Sequence, residues 1–77
     1  MAEPVQVRAR WDAEARVWWA ESDNLPGLVT EAETQEALKD RLLRIVPDLL
    51  QESPDLALQF DHRIKIIFER QEDLAFA

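Results

Sequence analysis

Paired acidic residues are the part of this sequence whose spacing comes closest to a chemical site. Glu21 and Asp23 lie two residues apart, and Glu31 and Glu33 repeat that spacing. Carboxylates that converge in one cleft can hold Mg²⁺ for phosphoryl transfer. Spacing alone does not show such convergence, and acids in loops are normally solvated. We therefore predict no metal, no other cofactor and no catalytic residue.

The remaining residue types used in catalysis are sparse. His62 is the only histidine and there is no cysteine, which excludes thiolate or multi-histidine zinc sites. Ser22 and Ser53 have no activating base in their sequence context. Gly27 is the only glycine, so a glycine-rich loop that cradles phosphates is excluded. The sequence predicts a protein that is not an enzyme.

The charge balance restricts the partners. Sixteen acidic residues against nine basic ones give a net charge of −7, which disfavours binding to nucleic acid and to anionic membrane surfaces. An acidic chain fits a basic protein partner, although acidity for solubility alone is the simpler explanation. No stretch resembles a signal peptide or a membrane span. With no cysteine, this indicates a cytoplasmic protein.

The elements that would position these residues begin with a hairpin. Residues 5–11 alternate apolar and polar side chains, and residues 17–22 form the return strand after a polar loop. Neighbouring strand residues point to opposite faces. One of Trp18 and Trp19 is therefore buried and the other looks outward, but the loop length leaves open which one.

The outward tryptophan has two interpretations. It could be an interface anchor, because its large apolar surface and its N–H favour a partner. It could instead be a lone surface residue that lies over Arg8 or Arg10 in a cation–π contact.

A turn and a helix follow the hairpin. Pro26 and Gly27 are the signature of a type II turn, in which glycine accepts a positive φ. A short third strand is predicted at residues 28–30. Thr34 is the preferred N-cap of the helix, and Thr30 with Glu33 is a competing capping box.

The helix has two apolar rows. The first follows the spacing of a core-facing stripe and contains Leu38, Leu42, Ile45 and Leu49. The second predicts either an oligomer interface or a wide core face, and it contains Leu43, Val46 and Leu50. Pro47 predicts a kink or a restart, and the helix should end near residues 51–54.

The last strand is predicted at residues 56–69, beside the hairpin, with Phe60, His62 and the following even-numbered residues on one face. The tail, 71–77, either frays or docks Leu74 and Phe76 on a neighbour. The predicted fold is α+β, in the order β-β-β-α-β, with one helix on a three- to four-stranded, mainly antiparallel sheet. Residues 1–77 form a single domain with flexible ends at 1–4 and 71–77.

Four segments in this order resemble the HicB family, and more narrowly a branch of small single-domain HicB-like proteins. They are Val7-Arg8-Ala9-Arg10-Trp11-Asp12, Val17-Trp18-Trp19-Ala20, Leu25-Pro26-Gly27-Leu28-Val29-Thr30-Glu31-Ala32 and Glu33-Thr34-Gln35-Glu36-Ala37-Leu38. The resemblance implies a partial ribonuclease H fold, self-association, and an antitoxin that covers the active site of a small basic HicA-type ribonuclease. The DNA-binding segment of full antitoxins is not found after the last strand.

Two functions follow as expectations. The first is an antitoxin-like module that binds a small basic RNA-cleaving toxin at a sheet edge. The alternative is a stand-alone, self-associating domain with a structural role and no toxin partner. In both cases we expect a homo-oligomer. The residues predicted to bind the partner are Trp18, Trp19, Glu21, Asp23 and Leu25.

Overall fold

The computed structural model describes residues 2–77 and contains four strands and two helices. In chain order they are β1 Glu3–Asp12, β2 Val17–Ser22, β3 Val29–Ala32, α1 Gln35–Glu52, α2 Pro54–Ala57 and β4 Phe60–Glu69. The strands form one sheet in the order β3-β2-β1-β4, with α1 packed on one face. The α+β prediction is confirmed, with the short helix α2 as an addition.

The central strand β1 has neighbours of opposite polarity. It pairs antiparallel with β2, and β2 pairs antiparallel with β3. On its other side β1 pairs parallel with β4, which is possible because the helices carry the chain back across the sheet. The register places Trp11 opposite Trp18 and Arg10 opposite Trp19.

The β1–β2 register is held by the hairpin loop. The Asp12 carboxylate accepts from the backbone N–H groups of Glu14 and Ala15, at 3.1 and 3.2 Å. The N–H of Arg16 donates to the Asp12 carbonyl at 2.7 Å, and Arg16 has a φ of 57°. An aspartate side chain that accepts from the next backbone N–H groups stabilises a tight turn. Asp12 thus takes the role of the Asn-Gly pair that the sequence lacks.

The loop between β2 and β3 is attached to the start of β1. Its turn closes with the Leu28 N–H donating to the Leu25 carbonyl, and Gly27 has a φ of 86°, as the sequence predicted. The Asn24 side chain accepts from the Gln6 N–H at 2.8 Å and donates to the Pro4 carbonyl at 3.0 Å. These bonds fix a segment that would otherwise be mobile.

Helix α1 begins where the sequence predicted. The Thr34 hydroxyl accepts from the Ala37 N–H at 3.0 Å, so Thr34 is the N-cap. Pro47 lies inside the helix, which continues to Glu52. The predicted end is therefore confirmed, and the helix does not restart at Pro47.

The core lies between α1 and the sheet. Trp18 is its largest member, and its ring packs against Trp11 and Phe68, with ring centroids 5.4 and 5.3 Å away. The other buried apolar residues are Val5, Val7, Ala9, Ala20, Leu25, Leu28, Ala32, Leu38, Leu42, Val46 and Phe60.

The start of the last strand differs from the prediction. Residues 56 and 57 belong to α2, and β4 begins at Phe60. Ser53 followed by Pro54 is a helix-start signal that the period-two pattern concealed. The β1–β4 register shifts between Glu3 and Val5. His62 is exposed beside this irregularity, although it lines the same groove as Phe60 and Ile64.

The tail after β4 has no regular secondary structure. Leu74 is 86% exposed and Phe76 is 97% exposed, so neither side chain is packed within the chain. Within residues 2–77, no helix is both long and apolar enough to cross a membrane.

Candidate partner-binding surface

The sheet has one face without a helix, which we call the open face. It carries the strand residues that alternate with the core residues, among them Arg8 and Arg10 of β1 and Trp19 of β2. Trp19 is 36% exposed, whereas Trp18 is 6% exposed. The register therefore settles which tryptophan looks outward.

The half of the open face formed by β2 and β3 is apolar and acidic. Val29 lies opposite Glu21, and Glu31 lies opposite Trp19. Val29 is 58% exposed, so it extends the apolar surface of Trp19 toward the edge of the sheet. Asp23 follows directly after β2. This half therefore places two apolar side chains among three carboxylates.

The half formed by β1 and β4 is mainly basic. Arg10 of β1 and Lys65 of β4 are exposed there. Arg8 lies between the halves and pairs with Asp23 at 3.4 Å and with Glu69 at 3.7 Å. Both ion pairs are largely exposed, so each contributes little to stability. The ion pair with Asp23 matters for the charge of the surface, because Arg8 offsets part of the negative charge of Asp23.

The surface differs from the prediction in three respects. Trp18 and Leu25 are buried in the core, so they cannot contact a partner in this conformation. Strand β2 is interior, and the edge beside it is β3. Trp19 was expected to contact Arg8 or Arg10 if it were a lone surface residue. Within residues 2–77, the tryptophan that makes a cation–π contact is instead Trp11, with Arg70 4.9 Å from its ring centroid, and no such contact is found for Trp19.

Of the predicted residues, the structure brings Trp19, Glu21 and Asp23 together on the open face. Sequence reasoning missed Val29 and Glu31, which join this surface from β3. The alternation of Val29, Thr30 and Glu31 was a usable signal, but it could not place them beside Trp19 without a register.

The predicted oligomer row is divided by the structure. Val46 is buried against the sheet and belongs to the core, Leu50 is half-buried, and Leu43 is 65% exposed. Leu43 and Leu50 line an apolar groove of about 470 Å³ between the second half of α1, α2 and the start of β4. Phe60 and Ile64 form its floor on the β4 side.

The carboxylates do not form a metal centre. Within residues 2–77, no three histidine or acidic residues are grouped closely enough to bind an ion. The most strongly paired acid is Asp61, which accepts from the Arg63 guanidinium at 2.7 Å. This hydrogen bond lowers the pKa of Asp61 below its usual value, and the same pairing raises the pKa of Arg63.

The fold and this surface define a small α+β domain with one helix on a mixed four-stranded sheet and an open face divided by charge. The chain belongs to the family described as Domain of unknown function (DUF1902), which it matches over residues 4–77. It is similar to the crystal structure of the hypothetical protein TTHA1013 from the extremely thermophilic bacterium Thermus thermophilus. The two are 40% identical with a TM-score of 0.70, over 96% of this chain and 100% of that one. No curated protein matches this chain.

Proposed function

We propose that this chain is an antitoxin-like protein-binding module that neutralises a small basic HicA-type RNA-cleaving toxin. The observation that supports it is the β2–β3 half of the open face, where Trp19 and Val29 lie among Glu21, Asp23 and Glu31. Trp19 has Glu31 opposite it on β3 and Arg10 opposite it on β1. An exposed aromatic with carboxylates on its β3 side suits a partner with an apolar patch beside a basic surface. The HicB resemblance names such a partner.

The loop before β3 contributes to the same proposal. Asn24 and Ser22 fasten it to β1, and the Ser22 hydroxyl donates to the Gln6 carbonyl at 2.7 Å. A loop that is already ordered loses little conformational freedom when a partner binds. Asp23 is therefore presented in a fixed position just after the end of β2. In this proposal the module acts in the cytoplasm, has no enzymatic activity and binds no nucleic acid directly.

The test needs a small basic protein encoded beside this chain, and finding one is its first step. RNA cleavage by that protein should stop when an equal amount of this chain is added. Replacing Glu21→Lys should mainly slow association, because steering by exposed charge is screened within about 10 Å at 0.1 M salt. Replacing Trp19→Ala should mainly speed dissociation. Asp48→Lys makes the same charge change on the exposed side of α1, and it should alter neither rate.

Two outcomes would count against the proposal. One is a toxin that cleaves RNA unaffected by this chain. The other is cleavage of RNA by the chain itself with Mg²⁺, abolished by Glu21→Gln, because that would make the open face a catalytic site.

The alternative is a stand-alone, self-associating domain with a structural role. The half-buried apolar face of β4 favours it, since Ile64, Ile66 and Phe68 are only partly covered by α1. A chain that associates with itself, with no basic partner encoded nearby, would support this second function.

A further inference from the structure

Strand β4 leaves one long edge of the sheet unpaired. It has ten residues and lies last in the order β3-β2-β1-β4, whereas the opposite edge, β3, has only four. An exposed strand edge presents a row of free N–H and C=O groups to any other strand. The apolar groove beside Phe60 lies at the start of this edge, and the uncovered tail follows its end.

We propose that a second copy of this chain covers this edge, with the two β4 strands antiparallel around a two-fold axis at Ile66. Each tail then runs along the start of the other copy's β4 and places Leu74 and Phe76 in its groove. The two four-stranded sheets become one sheet of twice the width. This surface is separate from the open-face half that holds Trp19.

The side chains of β4 and of the tail favour this register. Residues that lie directly opposite each other in two paired strands point to the same face of the sheet. In two copies of one strand, such residues are both odd-numbered or both even-numbered. A two-fold axis perpendicular to the sheet therefore passes between a residue and the same residue of the second copy. With the axis at Ile66, Arg63 faces Glu69 of the second copy. With the axis one residue earlier, Lys65 faces Lys65 of the second copy, and with the axis at Ile64, Arg63 faces Lys65. With the axis at Ile67, Lys65 faces Glu69, but Asp61 then faces Asp73 and the apolar Ile64 faces Arg70. Like charges directly opposite are unfavourable.

The apolar residues agree with the same register. Ile66 faces Ile66 of the second copy, and Ile64 faces its Phe68. All three are half-buried on the helix side of the sheet. Pairing would cover the surface that α1 leaves open, and the burial of apolar area stabilises the dimer. Two oppositions are unfavourable, His62 with Arg70 and Phe60 with Glu72.

The tail reaches the groove by simple continuation of the strand. In this register, residue 72 of one copy lies opposite Phe60 of the other, so residues 74–76 pass α2. In an extended tail, Leu74 and Phe76 share the face of Ile66 and Phe68, because alternate residues point to the same side. That face is the one on which Leu43 and Leu50 line the groove. The pairing thus accounts for both an uncovered groove and an apolar tail.

Sedimentation of the full chain should give a dimer at micromolar concentration. The double substitution Leu74→Asp and Phe76→Asp should weaken it by about a hundredfold or more, since four large apolar side chains lose their contacts. The tail is not packed within the chain, so the thermal unfolding of the separated chains should not change. Val29→Asp, on the opposite edge, should leave the dimer unchanged.

Cysteine cross-linking tests the register, because the chain has no cysteine of its own. Lys65 of one copy lies opposite Ile67 of the other in this pairing. A mixture of Lys65→Cys and Ile67→Cys chains should therefore form a disulfide dimer on mild oxidation. Either variant alone should cross-link poorly, since diagonal neighbours exceed the distance that a disulfide bridges.

If the wild-type chain sediments as a monomer at micromolar concentration, the proposal is wrong, and the β4 edge is not covered by a second copy. Efficient cross-linking of Lys65→Cys with itself overturns the register. A double tail variant that dimerises as tightly as the wild type overturns the placement of the tail.

Discussion

The substitution Asn24→Asp tests whether the loop before β3 is held on β1 by one amide group. The Asn24 Nδ2 donates to the Pro4 carbonyl at 3.0 Å and to the Glu3 carboxylate at 3.2 Å. A carboxylate of the same shape can donate to neither. Two lost hydrogen bonds cost about 1 kcal/mol each, and repulsion from the exposed Glu3 adds a few tenths. We expect the free energy of unfolding to fall by about 2 kcal/mol.

The assay is urea unfolding followed by tryptophan fluorescence at pH 7, with thermal unfolding as a second measurement. A loss of about 2 kcal/mol should lower the Tm by about 10 °C in a domain of this size. The deficit should shrink near pH 3, because protonation of the introduced carboxyl restores one donor. Arg44→Gln makes the same change in net charge on the exposed side of α1 and should have little effect.

The reasoning is refuted if Asn24→Asp unfolds at the wild-type urea concentration, since the loop would then be held by other contacts. A deficit of the same size at both pH values would show that the cost arises from packing rather than from the exchange of a donor for a charge.

Three further pairs of substitutions separate local effects. Gly27→Ala should lower stability by about 1 kcal/mol through its φ of 86° alone, because a Cβ there meets no atom within 4 Å; Gly27→Asn should lower it less in the same urea titration. Trp18→Ala should cost about 3–5 kcal/mol and Trp19→Ala much less, since only Trp18 is buried; equal costs would contradict the register. Thr34→Ala should cost about 1 kcal/mol by loss of the N-cap, whereas Thr30→Ala should cost less by thermal unfolding if Thr34 is the cap.

Local signals in the sequence predicted the elements that depend on local physics. The alternation of the hairpin, the Pro26–Gly27 turn and the Thr34 cap each rest on interactions within a few residues, and each is confirmed. The division of Trp18 and Trp19 between two faces was also predictable, because it follows from strand geometry alone.

The remaining features depend on contacts between distant segments. Which tryptophan is buried required the hairpin register, which Asp12 and the positive φ of Arg16 fix within the loop. The burial of Val46 depends on how far α1 is rotated over the sheet, and spacing alone assigned Val46 to the second row beside the core-facing one. The exposure of His62 could not be predicted either, because the β1–β4 register shifts near Glu3.

The parallel pairing of β1 with β4 has a consequence for how the chain folds during synthesis. Strand β1 leaves the ribosome early, but its second neighbour emerges only after both helices have been made. Until then the β4-facing edge of β1 has no partner, and contacts between such distant segments form slowly. A nascent chain at this stage is open to pairing with strands of other nascent chains. Slow translation before residue 60 should therefore promote aggregation rather than prevent it.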